Sequence, residues 1–158
     1  VSGFAAIGLF HPKNGVNVGA VLRAAGVFDV AMVAVTGNRF KAYPTDTECV
    51  RRRMPLLFVD DLRSVIPHDC VPIAIELIPG AKPLPTFPHP PRAFYVFGPE
   101  DGSLGQGVTS WCRDVLYIPA GCLNLAAAVN VVLYDRMVKR GEWMRDQRSE
   151  RGRDEVVA

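Results

Sequence analysis

The sequence predicts an α/β fold, a mainly parallel sheet flanked by helices, and three observations predict it. Short apolar runs alternate with helix-like stretches along the chain, the pattern of strand–helix units whose strands lie parallel. One run, Val71–Ile78, is apolar in the manner of a buried strand. At three places a strand leads through a polar or Gly/Pro loop into a helix, around residues 17–23, 97–104 and 118–124. Residues at such junctions can converge on one ligand. The length of 158 residues suits one domain and is enough to bury a proper core.

Phe4–Phe10 is the first strand. His11–Val16, with Pro12 and Gly15, is a loop, and Asn17 is placed to cap a helix that runs to about Val27. Ala31–Val35 is the second strand and ends at the turn-like Thr36-Gly37-Asn38, within a polar loop over 37–47. Thr45-Asp46-Thr47-Glu48 has capping-box spacing and predicts a short helix through Arg53, ended by Pro55. Leu56–Val59 is a strand, and Asp60 caps a helix to about Ile66. Val71–Ile78 is stopped by Pro79-Gly80, and a Pro-rich passage follows from Pro83 to Pro91. Ala93–Phe97 is the next strand and ends in the Gly98–Gly107 loop. A short helix over Leu104–Cys112, a strand over Val115–Ile118 and a long helix over Leu123–Arg140 complete the pattern. Gly141 interrupts that helix, and residues 141–158 are a charged helix or tail. No repeat or linker divides the chain, so residues 1–158 are expected to form one domain.

The composition, 49% hydrophobic and 22% charged, is that of an ordinary globular protein. No apolar run reaches membrane-spanning length: Asp29 breaks the stretch around 24–35, and Asn124 and Asn130 break that around 123–134. The stretch from Val1 has no basic segment ahead of an apolar one, so no secretory signal is expected. Cys49, Cys70, Cys112 and Cys122 form no C-x-x-C pair, and His11, His68 and His89 form no H-x-x-x-H pair. Reduced thiols, a cytoplasmic location and no metal are the expectations. The net charge of +2 does not by itself require a polyanionic partner. Its distribution says more. Arg51-Arg52-Arg53 is a candidate for phosphate contact. The group Arg136, Lys139, Arg140, Arg145, Arg148, Arg151 and Arg153 is diluted by acids and reads at least as well as a solvated helix face.

The three junctions carry motifs. Asn17-Val18-Gly19-Ala20-Val21-Leu22-Arg23 has the form N-x-G-x-x-x-R. Phe97-Gly98-Pro99-Glu100-Asp101-Gly102-Ser103-Leu104 matches F-G-x-E-x-x-G-L with one residue of slack at its end. Ile118-Pro119, leading to Cys122-Leu123-Asn124, matches I-P…S-L-N, with Cys122 where Ser is usual. Together and in this order they resemble the signatures of the SpoU/TrmH family of SPOUT RNA methyltransferases, from about Phe4 to Lys139. His11-Pro12-Lys13, Asp46-Thr47, Glu76-Leu77, His89-Pro90 and Tyr134-Asp135-Arg136 resemble compact bacterial members that lack an extra RNA-binding domain. The resemblance implies a SPOUT-type fold whose last third passes through an earlier loop in a C-terminal trefoil knot. It implies methyl transfer from S-adenosylmethionine to a ribose 2′-hydroxyl of tRNA or rRNA, by a homodimer without metal. A knot-fold RNA binder that transfers no methyl group, and a base-modifying SPOUT enzyme, are the alternatives.

By the same resemblance, Arg23, Asn17, Glu100 and Asn124 are the catalytic candidates. Leu77, Gly98, Ile118, Cys122 and Leu123 are candidates for the cosubstrate, and Lys13, Arg51, Arg52 and Arg53 for RNA. The residues also speak for themselves. Arg23 is the one charge in an otherwise apolar helix, and a buried guanidinium needs a partner or an anion. Glu100 is one candidate partner; the ribose hydroxyl is the family's answer. Because Arg stays protonated, it would orient that hydroxyl or stabilise a developing alkoxide rather than act as a base. Gly19, one turn before Arg23, leaves room for a ligand or another backbone. Gly98 lets backbone amides face a ligand. Glu100 pairs with Arg23, binds a ligand, or is a surface turn carboxylate. Cys122 is either a small buried residue or a weak donor in place of a hydroxyl. Asn124 can cap the long helix while its amide reaches a neighbouring motif. Lys13 reaches phosphate or solvent. The helices after Asn17 and Asn124 are more apolar than one small domain exposes. Such surface suits pairing, and the family resemblance implies a twofold dimer through these helices, with Arg23 near the partner's cosubstrate.

Overall fold

The computed structural model describes residues 3–142. Its strands are β1 (Phe4–Leu9), β2 (Met32–Val35), β3 (Leu56–Phe58), β4 (Val71–Ile75), β5 (Lys82–Pro83), β6 (Arg92–Phe97) and β7 (Asp114–Tyr117). Its helices are α1 (Gly15–Val27), α2 (Gln106–Thr109) and α3 (Leu125–Lys139), with 3₁₀ turns at Val50–Arg52, Leu62–Val65 and Leu84–Thr86. The strands form one seven-stranded sheet in the order β3-β2-β1-β6-β4-β7-β5, and every paired neighbour is parallel. The predicted α/β class holds. The charged stretch beyond Glu142, with Arg145, Arg148, Arg151 and Arg153, lies outside the described residues.

The central strands are apolar without alternation because both faces are covered. Ala5, Ile7 and Leu9 of β1, with Ala93, Tyr95 and Phe97 of β6, enter a core shared with α1 and α3. Ala6, Phe94 and Val96 enter the opposite core with Leu62, Leu104 and Val108. Gly8 is required by close approach: a Cβ there would meet the Phe94 ring at 2.8 Å. α3 lays Leu125, Ala126, Val129, Val132 and Leu133 into the first core.

A buried polar cluster fastens the far end of α3. Arg136 donates to the carbonyls of Pro90 and Pro91, both at 2.8 Å, and to the Tyr95 hydroxyl at 3.2 Å. The hydroxyl thus spends its own hydrogen on Nδ1 of His89, 2.6 Å away. Nε2–H of His89 is left to donate to Asp135 at 2.8 Å. Burial pushes the His89 ring below its ordinary pKa, against the hydrogen bond to Asp135, and pushes Tyr95 up to about 12.

Local boundaries differ from the expectations for identifiable reasons. Asn14, extended at φ −118°, caps α1 by accepting from the Val16 amide, so Asn17 lies inside the first turn. The helix expected through Arg53 shrinks to a 3₁₀ turn because Cys49 is left-handed at φ 49°. Its orphan amides go to Asp46, not to Thr45 or Glu48. Asp61, not Asp60, caps the Leu62–Val65 turn. α2 is four residues, bounded in front by Gly105 at φ 72°. β5, at the entry to the Pro-rich passage, is two residues long, too short for a sequence pattern to show.

Candidate active site

Because all strands are parallel, the segments leaving β1, β4, β6 and β7 emerge at one edge of the sheet. Glu100, in the loop after β6, folds over the start of α1. Its carboxylate accepts from the amides of Lys13 at 2.7 Å and Asn14 at 3.3 Å, and from Nδ2 of Asn17 at 2.7 Å. A carboxylate suits the positive end of a helix. Burial raises the Glu100 pKa, but the bonds from Lys13, Asn17, its own amide and Asn14 outweigh it and hold the group below its usual range.

Asn17 passes the connection on: its Oδ1 accepts from Nδ2 of Asn124 at 2.8 Å. Oδ1 of Asn124 accepts from the amides of Ala126 at 2.9 Å and Ala127 at 3.4 Å, capping α3. The ionised Glu100 can only accept, and the α3 amides can only donate. Both asparagines are thereby fixed in orientation. One polar chain thus joins the three motifs. Asn124 has the double role expected of it; Asn17, not a cap, is the middle link.

Arg23 does not pair with Glu100 and is not buried. It is exposed, and its Nη1 donates to the Thr47 hydroxyl at 3.2 Å. Glu100 sits at the start of α1, and six residues of helix carry Arg23 about 9 Å away from Asn17. The room left by Gly19 is taken by this chain's own backbone: a Cβ there would meet the Asp46 amide nitrogen at 2.7 Å. The neighbouring Thr45 hydroxyl donates to the Val16 carbonyl.

The five cosubstrate candidates lie in the segments leaving β4, β6 and β7. Gly98 is packed under Leu104, where a Cβ would stand 3.3 Å from the side chain. Leu77 is 76% exposed and Leu123 39% exposed, Ile118 is half-buried, and Cys122 is exposed rather than a small core residue. Two residues outside the candidate set organise this edge. Glu76 accepts from the Leu104 amide at 2.9 Å and the Leu77 amide at 3.1 Å, tying the loops after β4 and β6 together. Arg39 grips Asp101 with both terminal nitrogens, at 3.0 and 2.6 Å, and reaches the His11 carbonyl at 3.2 Å. The pairing lowers the Asp101 pKa and raises that of Arg39. The resemblance marks Glu76 only as a neighbour of Leu77, and nothing marks Arg39; the contacts that tie the loops together span 28 and 62 residues.

The basic candidates divide. Lys13 is exposed, with Nζ 3.7 Å from Asp101. Arg51 is committed to buried Asp46 at 2.9 Å and lies over the Tyr43 ring. Arg52 and Arg53 point to solvent. Among the described residues no His/Cys/Asp/Glu group is placed to hold a metal ion, and no helix is long and apolar enough to cross a membrane.

The profile of the SpoU rRNA methylase family matches residues 5–134. The chain belongs to this family. Solved structures agree with that membership at the level of fold. The SpoU methyltransferase AviRb from Streptomyces viridochromogenes superposes with a TM-score of 0.78 at 18% identity, covering 89% of this chain and 61% of AviRb. AviRb has also been solved with AdoMet. The A. aeolicus TrmH/SpoU tRNA modifying enzyme gives 0.77 at 18% identity, covering 88% of this chain and 76% of its own. A protein solved in work on 2-OH methylation of C/U34 on tRNA gives 0.76 at 21% identity, covering 89% and 98%. This SpoU chain spans less than two thirds of some relatives, 61% of AviRb and 56% of an rRNA methyltransferase from Sinorhizobium meliloti. A search of curated proteins finds no match.

Proposed function

We propose that this SpoU family protein transfers a methyl group from S-adenosylmethionine to a ribose 2′-hydroxyl of tRNA or rRNA. The observation that carries the proposal is the Glu100–Asn17–Asn124 chain, which locks the three motif segments together at the sheet edge where ligands of parallel α/β folds bind. S-adenosylmethionine would supply an activated methyl group. The loops of Leu77, Gly98 and Ile118–Leu123 would hold it, largely through main-chain groups and the exposed apolar side chains. Arg23 would orient the hydroxyl and stabilise charge on its oxygen. Related proteins have been solved with AdoMet bound, which supports the same cosubstrate here.

Assembly and topology belong to the proposal. Val16, Val27, Val131, Tyr134 and Val138 leave apolar surface on α1 and α3, which supports a homodimer across these helices. Arg23, turned away from its own Glu100, supports sites shared between subunits. β7 lies between β4 and β5, which one short connection joins, and α3 then returns to α1. That order supports the C-terminal knot. The chain would work as one domain in the cytoplasm.

Calorimetry with S-adenosylmethionine or S-adenosylhomocysteine, without added metal, tests the cosubstrate; no binding at millimolar ligand removes the reading. Nuclease digestion and mass spectrometry of RNA from cells with and without the protein should show loss of one ribose methylation. A lost base methylation would favour the base-modifying alternative. RNA binding with neither cosubstrate affinity nor methyl transfer would favour a binder, the alternative that Cys122 in place of Ser keeps open.

A further inference from the structure

The segment between β2 and the Val50–Arg52 turn carries aromatic rings that neither core fully absorbs. Phe58, on the edge strand β3, is 54% exposed. The Phe40 ring lies 6.3 Å from it, tilted by 46°, and Tyr43 stands 6.4 Å from Phe40. Phe40 is seated on the first turn of α1, where a Cβ on Gly15 would come 3.5 Å from its ring. Arg39, one residue before, holds the loop that carries Glu100. The aromatic row therefore starts at the edge where the three motifs meet. Lys41, Arg52 and Arg53 are exposed, and none forms an ion pair among the described residues. Glu48 and Asp60 are the exposed acids nearest in sequence.

An exposed Phe on an edge strand is a liability unless something covers it. Rings left partly exposed in one segment with unpaired Lys and Arg suit one kind of cover: an unstacked base on the ring and phosphates on the cations. An A-form duplex offers no free base face, so the surface selects single-stranded RNA. We propose that Phe58, backed by Phe40, is a stacking platform for an unpaired base of the RNA substrate, with Lys41, Arg52 and Arg53 on phosphates further along the same strand. The proposal rests on the RNA methyltransferase reading and narrows its substrate class to a loop or other single-stranded segment.

The test is fluorescence anisotropy on the full chain, with a labelled mixed-sequence RNA strand and the same strand annealed into a duplex. Wild type should prefer the single strand. Phe58→Ala should weaken that binding on the order of tenfold, the loss of one stacked base, and leave duplex binding unchanged. Phe58→Trp should restore it. Arg52→Ala should reduce the salt slope of single-strand binding by about 0.7. Circular dichroism checks the fold, and the Trp variant decides the question if the Ala variant is unstable. Unchanged affinity in Phe58→Ala, equal loss on duplex, or a changed oligomeric state by light scattering would overturn the platform. If wild type methylates RNA while Phe58→Ala is indifferent, only the platform fails. If wild type binds neither RNA nor S-adenosylmethionine, the functional reading fails with it.

Discussion

Asn124→Asp changes one atom type in the polar chain and should break it. The new carboxylate can still cap α3, but it then faces Oδ1 of Asn17, and turning Asn17 around would set that oxygen against Glu100. Methyl transfer should fall by about 5- to 150-fold, the cost of one unmade hydrogen bond at about 1–3 kcal/mol, while circular dichroism stays native. Glu100 predicts a pH effect. Its folded pKa is below the ordinary value, so the stability it contributes is present above the unfolded pKa, about 4.3, and lost as pH falls through the folded value. Glu100→Gln should flatten the acid limb of stability against pH, measured by urea unfolding. Arg23→Ala should abolish methyl transfer and leave fold and cosubstrate binding largely intact, because the side chain is exposed and bonds only Thr47 among the described residues. At this scale the sequence was legible where a side chain's bonds are local, as in the cap that Asn124 places on α3. It misled at Asn17, because Asn14 stands one turn earlier with the same capping chemistry. The contacts of Glu76 and Arg39 were illegible because they are made across the fold.

At the scale of elements, α1 and α3 carry the core on the site's side of the sheet, and Leu133 is 1% exposed within it. Leu133→Ala should cost about 2–5 kcal/mol by denaturant unfolding with its m-value unchanged. Strand and long-helix positions followed from apolar runs and caps because burial on both faces needs them. The short turns did not follow. A left-handed Cys49 and a two-residue β5 are imposed by packing of neighbouring segments, which a window of sequence does not contain.

At the scale of the molecule, the exposed apolar residues of α1 and α3 and the outward Arg23 predict a twofold dimer with composite sites. Arg23→Ala subunits mixed with subunits carrying Gly98→Trp should regain part of the activity that each lacks alone, since some heterodimers then hold one intact site. Light scattering that finds a stable, fully active monomer at assay concentration would remove both the dimer and the sharing. The parallel order of the sheet could be argued from strand–helix alternation. The insertion of β7 between β4 and β5 could not, because periodicity says nothing about which strand lies beside which.

The Glu100–Asn17–Asn124 chain also restricts how charge can leave the reaction. A carboxylate held ionised at one end and helix amides at the other allow a single arrangement of hydrogens, and carboxamides do not exchange protons along such a row. The chain is an insulator. It can hold three segments in register, yet in the proposed ribose methylation it could not carry away the hydroxyl's hydrogen. Under that proposal the hydrogen would leave by another route, so the catalytic pH profile should not track any carboxyl of this row.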